Sequence, residues 1–232
     1  MFHLSFSFTE PLKKSLAIII GVLFIDQVLK FWVKTHMYLG EEHTVFGNWF
    51  IIHFTENPGM AFGMELGGNF GKIFLSLFRI LVALLGGFYL FKLIRKESHP
   101  GLIICGSLIL AGALGNIIDS IFYGKIFSDS MHSVSILFPA GGGYGGWLHG
   151  KVVDMLYFPL IETHFPSWFP IWGNEEFVFF RPVFNIADSS ISIGVTLVFL
   201  FQKKFFPEKK EQATTVNPVE QEPMNAPITE AS

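Results

Sequence analysis

Four long apolar windows alternate with polar segments along the chain. Each holds about the 20 mostly apolar residues that a helix needs to cross a bilayer, and the four windows are residues 12–33, 73–94, 102–122 and 183–201. The first window continues into charged residues with no small-residue cleavage site behind it, so we interpret it as a retained span and not as a cleaved signal peptide. The pattern predicts an all-α membrane protein with four transmembrane helices.

The positions of Lys and Arg at the ends of the windows and between them predict how the helices are oriented. Basic residues cluster at the start of the first window, around the junction of the second and third, and after the fourth, whereas the long segments 34–72 and 123–182 hold few. Cytoplasmic loops are enriched in Lys and Arg. We therefore expect both termini in the cytoplasm and both long loops on the outer side of the membrane.

The two outer loops have compositions that differ from those of simple linkers. An aromatic and β-branched run at 46–54 ends in the turn signal Asn-Pro-Gly at 57–59, which predicts a small extracytoplasmic β-element. The second, enlarged loop contains a glycine-rich run at 141–147 and then tryptophans among prolines, rings that suit a membrane interface. We expect residues 1–206 to form one membrane-embedded domain and residues 207–232, which are poor in apolar positions, to form a disordered cytoplasmic tail.

Composition supports the membrane assignment and removes several other classes. Only 15% of the 232 residues are charged, against roughly 25% in soluble domains, and mean hydropathy is +0.47. The net charge of −3 and the lack of a dense basic stripe argue against nucleic acid as a partner. The single cysteine, Cys105, excludes an internal disulfide and a thiolate zinc site.

Four aspartates lie in apolar surroundings. Asp26, Asp119 and Asp188 fall inside the windows or at their ends, where an Asp at the helix centre costs about 2.5–3.5 kcal/mol. Asp154 follows two valines and precedes another apolar run. An ionisable residue in such a place is a candidate for a functional site.

Three polar pairs recur at helical spacing, which places each pair on one helix face: Asn116 with Asp119, Asn185 with Asp188, and Asp26 with Lys30. An Asn can donate a hydrogen bond to a neighbouring carboxylate. The Asp26 pair is also consistent with a structural ion pair near the outer interface, and Asp119 with a polar contact between helices. For Asp154 and Asp188 we place catalysis ahead of a structural role, and Asp188 has no basic residue three or four positions away in sequence.

Two carboxylates held together in a low dielectric do not both ionise readily, so one keeps its proton. Such a pair supplies an acid and a base for peptide hydrolysis without a metal, a cofactor or a covalent intermediate. The sequence contains no H-E-x-x-H motif and no G-x-S-x-G motif, and its histidines are scattered. We therefore predict neither a metal site nor a cofactor.

Five ordered sequence blocks resemble those of the bacterial lipoprotein signal peptidases, the type II signal peptidases, which are intramembrane aspartyl proteases with four helices. The blocks are DQVLK at 26–30, ENPGMAF at 56–62, GALGNIID at 112–119, VVD at 152–154 and FNIADS at 184–189. The resemblance implies that Asp154 and Asp188 are catalytic. It implies a supporting role around the site for nine further residues: Asp26, Lys30, Asn57, Gly59, Ala61, Asn116, Asp119, Asn185 and Ala187.

The resemblance also implies a substrate and a location. Members of this family cleave diacylglyceryl-modified prolipoproteins on the amino side of the lipidated cysteine, at the outer face of the inner membrane. They are inhibited by the cyclic peptide globomycin. The expected partners are therefore prolipoproteins, membrane lipid and globomycin-type inhibitors.

The chain departs from the family pattern in three places. Ser120 follows Asp119 where members usually carry arginine, and Arg181 and Lys125 are candidates to replace that charge. The segment 125–180 is longer than is usual, and the tail is extra. From the residues alone, two other classes stay open: a proton- or ion-coupled transporter, since intramembrane carboxylates also act as relays, and an assembly factor whose aspartates join helices.

Overall fold

The computed structural model describes residues 9–58, 68–172, 174–179 and 181–207. Gly59 and Ala61, which the family resemblance assigns to the site, lie outside the described residues. So does almost all of the predicted disordered tail, residues 208–232.

Long apolar helices make up most of the described chain. Helix α1 spans Glu10–His36, α2 spans Gly68–Arg95, and α3 spans Pro100–Ile118. A π-helical segment, Asp119–Tyr123, carries α3 onward into the single turn α4, Gly124–Ile126. Within the described residues, α1, α2 from Phe70, and α3 extended to Ile126 are long and apolar enough to cross a membrane. These three agree with the first three predicted spans.

The fourth apolar window starts as a strand and not as a helix. Val183–Phe184 form β6, Asn185 is the N-cap, and α5 spans Ile186–Leu200, followed by the short turn α6 at Gln202–Phe205. Helix α5 is apolar but has 15 residues, which rise only about 22 Å against a hydrocarbon core of about 30 Å. The predicted helix start at 183 was wrong because β6 pairs with another strand, and a fourth full span is not confirmed.

A small antiparallel sheet connects the two predicted outer loops. Strands β1 (Glu42–Phe46) and β2 (Phe50–Asn57) come from the first loop, and β3 (Val152–Tyr157) comes from the second. The strand order is β1-β2-β3-β6, so the predicted β-element is confirmed and is extended by strands that lie far away in sequence. Strands β4 (Ile161–His164) and β5 (Glu176–Phe179) form a separate hairpin in the enlarged loop.

Helix α3 lies in close contact with α5 because of a glycine. A Cβ atom on Gly112 would collide with the backbone oxygen of Ala187 and would come within 2.6 Å of the Ile191 side chain. Ser190 in α5 donates a hydrogen bond to the carbonyl of Leu108 at 2.8 Å. This close packing brings the polar end of α3 against the first turn of α5.

The glycine-rich part of the enlarged loop packs on the backbone at the end of α3. Gly150 N–H donates to the carbonyl of Ser120 at 2.9 Å, and Gly145 N–H donates to that of Gly124 at 2.8 Å. A Cβ on Gly150 would collide with the carbonyl oxygen of Asp119. Glycine is therefore needed there for close approach, and the contact leads the chain directly into β3.

Candidate active site

The first turn of α5 carries one of the two predicted catalytic aspartates. Asn185 is the N-cap: its side-chain oxygen accepts a hydrogen bond from Asp188 N–H at 2.8 Å, and the Asp188 carboxylate accepts one from Asn185 N–H at 3.4 Å. This is a capping box, which satisfies two backbone donors at the helix N-terminus. Asp188 is thereby held at the positive end of the α5 dipole.

The other predicted catalytic aspartate, Asp154, lies in the middle of β3. Its neighbours Val153 and Met155 pack into a buried apolar cluster with Val33 and Phe54. Because side chains alternate across a strand, Asp154 points to the opposite face, and its residue is 5% exposed. Burial, reinforced by the negative charge of Asp188, raises the pKa of the Asp154 carboxyl to about 7.

Two asparagine side chains connect these carboxylates. Asn185 Nδ2 donates to Asp154 Oδ1 at 2.7 Å, and Asn116 Nδ2 donates to Asp188 Oδ1 at 2.8 Å. The two amides also contact each other, with Asn185 Nδ2 lying 3.1 Å from Asn116 Oδ1. Asp154 and Asp188, distant in sequence, therefore belong to one hydrogen-bond network.

A buried ion-pair cluster lies beside this network. Lys30 Nζ is 2.9 Å from Asp26 Oδ2, 2.8 Å from Asp119 Oδ2 and 3.0 Å from Asn116 Oδ1. The side chains of Lys30, Asp26 and Asp119 are fully buried. Lys30 of α1 thus supplies the cation next to Asp119 for which Arg181 and Lys125 were the sequence candidates.

The carboxylates of this cluster also fix the backbone on which the predicted catalytic residues sit. Asp119 Oδ2 accepts a hydrogen bond from Val153 N–H at 3.2 Å, directly before Asp154. Asp26 Oδ1 accepts one from Ala187 N–H at 2.9 Å, directly before Asp188. Ala187 is fully buried, and the cluster therefore connects α1 and α3 to both β3 and α5.

Sequence reasoning did not assign Gln27 and Tyr123 to the site. Gln27 Nε2 donates to Asp119 Oδ1 at 3.0 Å and to Asp26 Oδ2 at 3.1 Å, and Gln27 Oε1 accepts from the Tyr123 hydroxyl at 3.1 Å. Gln27 lies within the DQVLK block, which was the available signal. No sequence pattern indicated Tyr123, because its hydrogen bond to Gln27 of α1 joins residues 96 positions apart.

A second buried charge cluster, also missed, lies at the end of β2. Glu56 Oε1 is 2.6 Å from Lys34 Nζ, and Glu56 Oε2 is 2.8 Å from Lys151 Nζ. Lys34 Nζ also donates to Ser130 Oγ at 2.7 Å and lies 5.0 Å from the centroid of the Tyr144 ring. The cluster ties the enlarged loop to α1 and to the strand beside β3.

The remaining predicted site residue in the described chain is Asn57, the last residue of β2. Its partner across the sheet is Val152, and Thr55 pairs with Asp154. Asn57 therefore lies near Asp154 along the neighbouring strand.

Among the described residues, no group of three or more His, Cys, Asp or Glu side chains is arranged to hold a metal ion. Every buried side-chain N or O atom in this part of the chain has a hydrogen-bond partner.

Comparison with known proteins identifies relatives along most of the chain. A family model described as signal peptidase (SPase) II matches residues 18–203. The lipoprotein signal peptidase of Porphyromonas gingivalis is 60% identical over 185 residues, which cover 79% of this chain and 80% of the relative. That of Amoebophilus asiaticus is 37% identical over 213 residues, covering 90% and 86%.

Solved structures give a consistent result. A bacterial membrane enzyme determined at 2.3 Å by the in meso method is 25% identical, with a TM-score of 0.54 over 86% of this chain and 94% of that one. A second, at 1.9 Å, is 26% identical with the same TM-score. These matches do not support the transporter alternative. The chain belongs to the signal peptidase II family and is a membrane protease of the lipoprotein signal peptidase type.

Proposed function

We propose that this lipoprotein signal peptidase hydrolyses its peptide bond with the carboxyl pair of Asp154 and Asp188, as an aspartic endopeptidase. The observation that carries the proposal is the single amide of Asn185, which donates to Asp154 at 2.7 Å and accepts from Asp188 N–H at 2.8 Å. The same side chain thus binds the carboxylate of one aspartate and the backbone of the other, whose carboxylate accepts from Asn185 N–H and from Asn116. Two carboxyl groups in one hydrogen-bond network, one of them buried in a strand, can supply the acid and the base of hydrolysis.

In the proposed mechanism the two carboxyl groups have different protonation states. Asp154, with its pKa raised to about 7 by burial and by the charge of Asp188, carries the shared proton. Asp188 accepts hydrogen bonds from Asn116 and from Asn185 N–H at the positive end of α5, surroundings that suit a carboxylate anion. Asp188 is thus the base and Asp154 the acid.

The reaction then proceeds in two balanced steps. Asp188 takes a proton from a water molecule while the water oxygen attacks the carbonyl carbon of the peptide bond. Asp154 gives its proton to the carbonyl oxygen, and a gem-diol forms. Asp188 next donates its proton to the amide nitrogen as the C–N bond breaks, and Asp154 recovers a proton from the diol. The pair returns to its starting state, and the products are a carboxylic acid and an amine.

We propose that Asp26, Lys30, Asn57, Asn116, Asp119, Asn185 and Ala187 support this pair, together with Gly59 and Ala61. For the described residues among them, the contacts given above support the proposal: Asp119 and Asp26 hold the backbone next to Asp154 and Asp188. Residues 1–206 would then act as one membrane-embedded peptidase domain.

The proposed substrates are diacylglyceryl-modified prolipoproteins, cut on the amino side of the lipidated cysteine. Helix α2 exposes large rings such as Phe74, Phe78 and Phe88 along its outward face, a surface suited to lipid. A substrate anchored by acyl chains would reach the site by diffusion in the membrane plane. We place both termini in the cytoplasm and the site at the outer face of the inner membrane, and expect inhibition by globomycin-type peptides.

The test is a cleavage assay in detergent micelles with a diacylglyceryl-modified prolipoprotein, alongside the same precursor without lipid. Asp154→Asn and Asp188→Asn should each abolish cleavage while the protein remains folded. Asp129→Asn is the matched control, since Asp129 is an exposed loop residue whose carboxylate accepts a local backbone hydrogen bond from Met131. Full activity of either site variant would remove that residue from the mechanism.

A further inference from the structure

The candidate site holds more negative charge than its buried lysine neutralises. Four carboxyl groups, those of Asp26, Asp119, Asp154 and Asp188, are joined through Lys30 and the two asparagines. With one proton shared by the pair of the proposed mechanism, three negative charges remain, and Lys30 offsets one of them. An excess of this size in a low dielectric disfavours the ionised form of the pair.

Lys30 has no donor left for the pair. An ammonium group has three protons, and the three close partners of Lys30 Nζ are Asp26 Oδ2, Asp119 Oδ2 and Asn116 Oδ1, at 2.9, 2.8 and 3.0 Å. The position after Asp119 adds no charge, because it is Ser120, whose hydroxyl donates to the carbonyl of Asn116 at 2.8 Å. A second cation must come from another element.

Helix α2 brings an arginine to the inward face of the bundle. Ser76 is buried and donates to the carbonyl of Leu148 at 3.1 Å, and Ala83 is also buried. Arg79 lies three residues after Ser76 and four before Ala83, so the three share one helix face. Arg79 is half-buried, whereas its neighbour Phe78 is exposed on the outward side.

The carboxyl pair lies within electrostatic range of Arg79. Its electrostatic interactions are strongest with Asp188, followed by Asp154 and then Asp119. Lys72, seven residues earlier on the same face of α2, interacts instead with Lys151 and Glu56 of the second charge cluster. The two cations of α2 therefore serve different clusters.

We infer that Arg79 is a positioning residue for the reaction, whose guanidinium is the second cation of the site and holds the Asp154 and Asp188 pair in its singly ionised state near neutral pH. This inference rests on the proposed function, because it assigns a role through that pair. The other charged groups that face the pair are Lys30 and Asp26 on α1 and Asp119 at the end of α3.

The inference predicts a displaced pH profile. A positive charge favours the ionised form of a nearby carboxyl, so its removal makes each proton of the pair harder to lose. Both limbs of the profile of kcat/KM against pH should then move to higher pH in Arg79→Gln and Arg79→Met, by about one pH unit. Arg79→Lys keeps the charge and should keep the wild-type profile.

The experiment measures these profiles in micelles with a lipid-modified prolipoprotein, with Lys72→Gln as the matched control for loss of a cation from the same helix face. Displaced limbs in the neutral Arg79 variants and unmoved limbs in Lys72→Gln support the inference. A neutral Arg79 variant whose activity falls equally at every pH overturns it. If neither neutral variant folds, Arg79→Lys decides: an unchanged profile supports the role of the charge, and a displaced one contradicts it.

Failure of this inference is distinguishable from failure of the proposed function. Should Asp154→Asn or Asp188→Asn retain full activity, the carboxyl pair itself is wrong. Should both be inactive while Arg79→Gln keeps the wild-type profile, the pair stands and only the role of Arg79 is removed.

Discussion

Asn185 and Asp154 lie 31 residues apart in sequence, and their side chains are joined by a 2.7 Å hydrogen bond from Nδ2 to Oδ1. The same Asn185 side chain caps α5 through its oxygen. One amide therefore starts the helix that carries Asp188 and holds Asp154 against it. The helix cap and the contact with Asp154 therefore depend on the same side chain.

Replacing Asn185 with aspartate separates these two roles. Aspartate is as good an N-cap as asparagine, but at neutral pH it presents a negative charge to Asp154 in place of a donor. We expect kcat/KM of Asn185→Asp to fall about a hundredfold at pH 8, because the repulsion disturbs the pair. Activity relative to wild type should recover as pH falls, since a protonated carboxyl can donate where the amide did.

The control for this experiment is Asn185→Ala, which removes the cap and the donor and adds no titratable group. Its activity relative to wild type should stay low across the pH range. An equal pH dependence in the two variants would contradict the role of the amide as a donor to Asp154.

Asp154→Asn should stabilise the folded protein while abolishing cleavage. The pKa of Asp154 is raised from its ordinary value to about 7 by burial and by Asp188, so the folded state binds the Asp154 proton more tightly than the unfolded state. The resulting destabilisation of the wild type is absent below about pH 4, grows between pH 4 and 7, and is complete above pH 7. At pH 8 the variant should gain up to about 4 kcal/mol.

Thermal unfolding in micelles at pH 4 and pH 8 measures this effect. The difference in melting temperature between Asp154→Asn and wild type should be present at pH 8 and largely lost at pH 4. Asp129→Asn, with its carboxylate in a loop, should show no comparable gain. A variant less stable than wild type at pH 8 would mean that Asp154 is ionised and satisfied in the folded state.

Local patterns in the sequence predicted the parts of this protein that depend on local physics. The three long helices follow from uninterrupted apolar windows, and the pairing of Asp26 with Lys30 follows from helical spacing. The spacing of Asn185 and Asp188 was interpreted as a shared face within a span. The same interval of three residues also occurs in a capping box, between the N-cap residue and the third residue of the helix. An assignment of Asn185 as the N-cap would have placed the helix start at Ile186.

Contacts between distant segments could not be predicted in this way. The pairing of β2 with β3, the ion pair of Glu56 with Lys151 and the hydrogen bond of Lys34 to Ser130 each join residues about a hundred positions apart. No periodicity encodes such a partner, because it is chosen by tertiary packing. The role of Gln27 was missed for a similar reason, since its side chain binds Asp119, which directly follows α3 and lies 92 residues away in sequence.

Gly112→Ala should weaken the enzyme by separating α3 from α5. The added methyl group would collide with the Ala187 carbonyl and press on Ile191, which costs about 1–3 kcal/mol of stability when the backbone must shift. Asn116, one turn further along α3, would move away from Asp188, so cleavage should fall more than binding. Gly21→Ala on α1 is the control, because a methyl group added there would meet no atom within 4 Å. Comparable losses of stability and cleavage in both variants would argue against a specific contact between α3 and α5.

Lys30→Met tests whether the buried ion-pair cluster needs its cation. The change leaves the carboxylates of Asp26 and Asp119 fully buried without their shared ammonium group, and breaking a buried pair in this way costs about 3–5 kcal/mol. Adding Asp119→Asn to Lys30→Met removes one of the two stranded charges and should restore part of that loss. Lys13→Met, which breaks an exposed pair with Glu10, should cost less than about 1 kcal/mol. The measurement is the free energy of unfolding of wild type, Lys30→Met, the double variant and Lys13→Met. If the double variant is no more stable than Lys30→Met, the lost stability comes from lost packing and not from uncompensated charge.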